Sequence, residues 1–362
     1  MLERYGHGGD LVTAAGLYGI PADRFLDFSS NMNPFGPPDA VRFVMETRWQ
    51  ELDRYPDPAV RGLRSKLAQR HGIGEDQILC GNGAAELIEL AVRAAKPTGG
   101  VGLAVPGFGE YAEAADKFAS GPIIRVPLLE EETFRLSEQR VMEAAQQERP
   151  GLWLLGSPNN PTGMTVDRGL VLKLLDTGAF VVIDEAFLDF MPDDEDRTLI
   201  REAADRPNLL VIRSMTKFYA IPGIRLGYAV GSTETILAMR SLQTQWSVNS
   251  LAQWIGEAVL DDAAYAERTR AWLAEERPRL AEALTSLGCK VFDSVTNYLL
   301  VNLPDSLEAD AAELQRRMGA RGVLIRDASH FEGLNGRFIR VAVKLREQNE
   351  QLMAVMTACL GE

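Results

Sequence analysis

Four short segments of this 362-residue chain carry an amine, a carboxylate, an amide and a guanidinium in a fixed order. RSMTKFYAIPGIRLGY contains Ser214, Thr216, Lys217 and Arg225, and VVIDEAF contains Asp184 and Glu185. SPNNPTG places Asn159 and Asn160 ahead of a proline, and Gly81 to Glu86 (GNGAAE) is a glycine-rich entry to a helical pattern. Backbone N–H groups at such a helix start can take a phosphate. Singly, each segment has an ordinary role. Asn-Pro and Pro-Thr-Gly make turns, an Asp after a strand caps a helix, a lone Lys is solvated, and GxG occurs by chance. The order is more specific, because three of the segments follow short apolar runs and the fourth opens a helix, and open α/β sheets bind ligands beyond the carboxyl ends of their strands.

The runs that must position these groups are 102–105, 152–155, 180–183, 209–212 and 226–230. They are short and continuously apolar, the pattern of strands covered on both faces. Amphipathic segments 86–95, 167–175 and 233–243 alternate with them, which predicts an α/β fold with a mostly parallel sheet. From 252 to 287 the pattern is helical. Beyond it, 290–292, 298–301, 323–326 and 338–343 read as strands around a helix at 307–319, a small α+β domain. The expected organisation is an N-terminal arm over 1–45, a large domain over 46–250, and an interdomain helix with the small domain over 251–362.

Composition narrows the partners. Apolar residues make up 46% and charged residues 25%, as in ordinary globular chains. The formal charge is −13, which gives no general attraction to nucleic acid or an anionic membrane. An anionic substrate would therefore need a local cluster of positive charge. Cys80, Cys289 and Cys359 form no CxxC pair, and His7, His71 and His330 share no ligand spacing, so neither disulfides nor a metal centre is expected. No apolar run reaches the ~18 residues of a membrane span, and MLERYGHGGD lacks the apolar stretch of a signal peptide. The expectation is a soluble cytoplasmic protein.

SPNNPTG, VVIDEAF and RSMTKFYAIPGIRLGY in this order resemble the fold-type-I pyridoxal phosphate aminotransferases, near the histidinol-phosphate aminotransferase branch. The resemblance runs from HGGD to FIRVAVK. It implies a mostly parallel seven-stranded sheet and pyridoxal 5′-phosphate as cofactor. Lys217 matches the lysine that forms an imine with it, and Asp184 matches the carboxylate that keeps the pyridine nitrogen protonated. Asn160 matches the partner of the ring O3′, and Phe108, in PGFGEY, matches the stacking aromatic. The phosphate would rest on the N–H groups of Ala84 and Ala85, with Ser214, Thr216 and Arg225 as further donors. Tyr55, in RYPDP, matches a tyrosine reaching the phosphate from the other subunit, which implies a homodimer.

Many aminotransferases carry Tyr three residues after the pyridine-binding Asp, whereas this chain has Phe187. HGGD, LDFSSNMNPFGPP and QWSVNSLA further resemble the L-threonine-O-3-phosphate decarboxylase family, which serves the cobalamin nucleotide loop by making (R)-1-aminopropan-2-ol O-2-phosphate. That resemblance implies His7, Gly8, Asn31, Asn160, Arg326 and Arg340 as contacts to a phosphorylated amino acid. Arginine forks suit a substrate with both phosphate and carboxylate. The alternative is a histidinol-phosphate aminotransferase, which shares the cofactor residues.

Overall fold

The structure, a computed structural model, describes Leu2 and residues 7–361. The other residues of the predicted arm's opening hexapeptide lie outside the described residues. In chain order the strands are β1 (Leu26–Asp27), β2 (Ile78–Gly81), β3 (Val101–Val105), β4 (Ile123–Pro127), β5 (Leu152–Gly156), β6 (Phe180–Asp184) and β7 (Leu209–Ser214). They continue as β8 (Gly227–Gly231), β9 (Lys290–Val291), β10 (Tyr298–Asn302), β11 (Val323–Leu324), β12 (Arg326–Asp327) and β13 (Phe338–Ala342).

Seven strands form one sheet in the order β2-β8-β7-β6-β5-β3-β4. β8 runs antiparallel to both neighbours, and the remaining pairs are parallel. Successive side chains leave opposite faces of a strand. Accordingly Val181 and Ile183 join one core with Trp153 and Val211, while Val182 joins the other with Leu154, Leu210 and Ile212. Helices on both faces explain why these runs lack polar alternation. Gly102 is required where β3 passes β5, because a Cβ there would stand 2.4 Å from the Trp153 ring. β5, β6 and β7 end side by side at Gly156, Asp184 and Ser214, which aligns three of the candidate segments on one sheet edge.

A second sheet, β12-β13-β10-β9, is antiparallel throughout. The short pair β1 and β11 is parallel. Phe28 N–H donates to the Leu324 carbonyl (2.7 Å) and the Ala342 N–H to the Phe28 carbonyl (3.0 Å), so the N-terminal arm is stitched onto the C-terminal strands. It also reaches the lysine loop, since Asn33 Nδ2 donates to the Phe218 carbonyl at 2.9 Å.

Several boundaries differ from the sequence reading. The stretch 252–287 is two helices, Ser250–Val259 and Ala263–Ser286, because Asn249 and Asp262 each cap a new helix start. The first packs against the helices Asp39–Arg48 and Arg61–His71. The run 323–326 splits at Ile325, its halves pairing with different sheets. The helix expected from 307 starts at Ala311, where Asp310 caps it. β2 and β4 lie outside the apolar runs expected from the sequence. β4 lies at the sheet edge and is half exposed, so its sequence lacks the buried-strand pattern. Among the described residues, no helix is long and apolar enough to cross a membrane.

Candidate active site

The sheet edge opens into a cavity of about 400 Å³. Ala84, Ala85, Phe108, Asn160, Asp184 and Thr216 line it, together with Lys217 and Arg225 from the lysine loop. His7, Gly8 and Asn31 of the arm and Arg340 of β13 complete its wall. An adjoining chamber of about 290 Å³ shares His7, Gly8, Phe108, Asn160 and Arg340, and adds Arg326 and His330. Two expected residues stand elsewhere. Ser214 sits behind Lys217 and does not line the cavity, and Tyr55 is 82% exposed, stacked on Trp246 with ring centroids 4.9 Å apart.

Lys217 projects into this cavity from the loop after β7, with Nζ 3.3 Å from Ser214 Oγ. Burial lowers its pKa, Arg225 adds to that, and Asp184 opposes it. The amine is thereby moved toward the neutral form that a nucleophile needs. Asp184 ends β6, and burial raises its pKa while Lys217 and two hydrogen bonds pull it back down. Those bonds come from the Tyr111 hydroxyl to Oδ2 (2.9 Å) and the Ala186 N–H to Oδ1 (3.0 Å).

Tyr111 is a site residue that sequence reasoning missed. Its signal lay in PGFGEY, where the hydroxyl stands on the first turn of the helix Gly109–Phe118, and Phe108 packs edge-on to it at 5.6 Å. Tyr111→Phe removes one of the bonds that stabilise the Asp184 carboxylate. The remaining burial raises the Asp184 pKa further, so the acidic limb of kcat moves to higher pH, and kcat falls about tenfold, the cost of roughly 1.4 kcal/mol for one charge-assisted hydrogen bond. A kcat–pH profile of both proteins checks this.

The phosphate-sized end of the cavity is built by the helix Ala84–Ala95, which has no side-chain cap on its first N–H groups. Its N-cap, Gly83, has φ +86°, and a Cβ there would stand 2.5 Å from Arg225 Nη2. Glycine therefore lets the guanidinium lie against the helix start, where uncapped N–H groups and the helix dipole already favour an anion.

Arg340 is buried. Its Nη1 donates to Asn160 Oδ1 (2.6 Å) and its Nη2 to the Ser29 carbonyl (2.7 Å), which leaves the Asn160 Nδ2 available as a donor. Arg326 pairs with Arg340 across β12 and β13 and is buried too. Both line the adjoining chamber, and guanidinium forks of this kind suit an anion. Phe187 lines the main cavity, its ring edge-to-face with Tyr298 at 5.0 Å.

Residues 23–356 match the family model for aminotransferase class I and II. The chain is 38% identical over 356 residues to the threonine-phosphate decarboxylase of Salmonella typhimurium, covering 97% of this chain and 95% of that one. It is 33% identical over 361 residues to a histidinol-phosphate aminotransferase of Roseiflexus castenholzii, covering 98% and 95%. Among solved structures, the L-threonine-O-3-phosphate decarboxylase of Porphyromonas gingivalis superposes with a TM-score of 0.81 at 25% identity, covering 92% and 99%. The chain belongs to the class I and II aminotransferase family, whose members depend on pyridoxal 5′-phosphate.

Proposed function

We propose that this protein decarboxylates L-threonine O-3-phosphate to (R)-1-aminopropan-2-ol O-2-phosphate, the linker of the cobalamin nucleotide loop. The observation that carries the reading is the pair of buried guanidiniums, Arg326 and Arg340, facing the chamber beside Lys217. Two forks match a substrate that bears both a phosphate and a carboxylate. Similarity to the Salmonella decarboxylase supports the same assignment.

The residues fit the cofactor. Buried Asn31 Oδ1 lies at the cavity wall with no hydrogen-bond partner among the described residues, and the uncapped helix start with Arg225 forms a seat for a phosphate. Lys217 would hold the aldehyde carbon, Asp184 the ring nitrogen, Asn160 the O3′ oxygen and Phe108 the ring face. Ala84, Ala85, Thr216 and Arg225 would hold the phosphate, with Ser214 fixing Thr216 through a 2.8 Å hydroxyl–hydroxyl bond. When bound, the group supplies an electron sink for charge developing at the substrate's α-carbon.

The chain's own residues then choose the bond that breaks. Arg340, fixed by Asn160 and Ser29, grips the substrate carboxylate and sets its direction. His7, Gly8, Asn31 and Arg326 take the other end. Carbon dioxide leaves with the carboxylate carbon, and Lys217 Nζ returns a proton to the α-carbon. The net reaction consumes one proton and no amino acceptor, which separates it from transamination. Phe187, which offers no hydroxyl, is consistent with this division.

The same reading includes a cytoplasmic homodimer and a division of the chain near residues 45 and 250. Tyr55 stands outside its own chain's cavity, so it would serve the second subunit. Mixing an inactive Lys217→Ala subunit with an inactive Tyr55→Ala subunit should restore activity, because one site of the mixed dimer is intact. No recovery would remove the shared site from the account. The assignment itself is tested by carbon dioxide release from phosphothreonine with no keto acid present.

A further inference from the structure

The chamber next to Lys217 contains a carboxylate that an anion-binding site should not welcome. Glu110 lines both chambers, on the first turn of the helix Gly109–Phe118 and two residues after Phe108. A free glutamate there would repel both anionic groups of the proposed substrate. It is not free, because His7 Nε2 lies 2.9 Å from Glu110 Oε1.

His7 comes from the N-terminal arm, and the segment behind it is held tightly. The Gly9 N–H donates to Ser29 Oγ (2.9 Å), and a Cβ on Gly8 would stand 2.3 Å from the Ser29 carbonyl oxygen. That same carbonyl accepts from Arg340. A continuous path therefore runs from Arg340 through Ser29 and the glycines to His7, and Glu110 closes it onto the large sheet's side of the cavity. The other charged groups facing this chamber are Arg326, Arg340 and His330 from the C-terminal strands and Glu113 from the helix of Glu110. Glu332 also faces it but is engaged by Arg125 at 2.6 Å.

We propose that Glu110 is a positioning residue for the substrate's phosphate, acting entirely through His7. The carboxylate accepts from Nε2–H and holds the ring across the chamber, so that an imidazolium held there turns its second N–H toward the chamber. Nδ1–H is then left to donate to the substrate anion. The pair gives the chamber a donor that is aimed by a residue of the opposite wall. This inference rests on the reading that the chamber takes the substrate's anionic end.

A double-mutant cycle on the holoenzyme tests it, with Glu110→Gln, His7→Ala and the combined variant. The substrate is the phosphorylated one that the wild-type protein turns over, so failure of the phosphothreonine reading changes the substrate and leaves the coupling measurable. A partly exposed, charge-assisted pair sets the expected size at about a fivefold rise in KM for E110Q, with kcat within about twofold. In the His7→Ala background the same change should move KM by less than about twofold. Glu110→Asp, which keeps the charge, should recover part of the loss, and it reads the cycle if E110Q fails to retain cofactor. Equal effects of E110Q with and without His7, or an unchanged KM in E110Q, would overturn the proposal.

Discussion

Lys217→Ala abolishes turnover, lowering kcat by at least about 10⁴-fold, the upper range for a lost general acid–base group. The loss is larger than for any other single change because the proposed mechanism gives Nζ two duties. It holds the cofactor's aldehyde carbon, and it returns the proton to the α-carbon after carbon dioxide departs. Lys217→Arg should be equally inactive. Burial lowers the Lys217 pKa toward a usable neutral amine, whereas a guanidinium stays protonated and is no nucleophile. Rapid-quench measurement of carbon dioxide release, together with the visible absorbance of the bound cofactor, checks both. A Lys217→Arg protein with more than about one hundredth of wild-type activity would contradict the roles given to Nζ.

Asp184→Asn is expected to lower kcat about 10³-fold, roughly 4 kcal/mol of lost stabilisation. The amide is isosteric and keeps both neighbours. Oδ1 still accepts from the Ala186 N–H, and Nδ2 can donate to the Tyr111 oxygen with the bond reversed. What disappears is the negative charge that, on the proposed function, would pair with a protonated ring nitrogen. The effect on folding runs in the opposite direction. Burial raises the Asp184 pKa above its unfolded value, so the stability of the cofactor-free protein falls as pH rises past the ordinary carboxylate pKa near 4. Asparagine never ionises and escapes that loss. Thermal unfolding of the cofactor-free proteins at neutral pH should therefore find D184N at least as stable as wild type while its holoenzyme is nearly inactive. A variant both inactive and clearly destabilised would make Asp184 a structural residue instead.

The cavity residues were legible in sequence because the chemistry sits at strand ends. Asp184 ends β6, Asn160 and Lys217 follow β5 and β7, each of these strands begins as an apolar run, and parallel strands bring such ends together without further information. Ala84 and Arg225 were legible through their motifs, although only the structure shows Gly83 making room for the guanidinium. Tyr111 and Glu110 were passed over because a polar residue on a helix's first turn is ordinary in sequence. Their partners, Asp184 and His7, lie 73 residues ahead and at the other end of the arm respectively. Boundaries failed where two partners competed for one run, as at Ile325, or where an edge strand such as β4 lacked a buried pattern. Ser214 illustrates a further limit. Its motif placed it in the site, but its side chain serves Lys217 and Thr216 from behind, and the sequence does not encode that direction.

One assay with two arms tests the central claim. Purified holoenzyme receives L-threonine O-3-phosphate with no keto acid, and carbon dioxide is followed. In parallel it receives histidinol phosphate with 2-oxoglutarate, and glutamate is followed. The account predicts many turnovers of carbon dioxide per active site in the first arm and no glutamate in the second. Glutamate in the second arm with no carbon dioxide in the first would contradict it and make the protein a histidinol-phosphate aminotransferase.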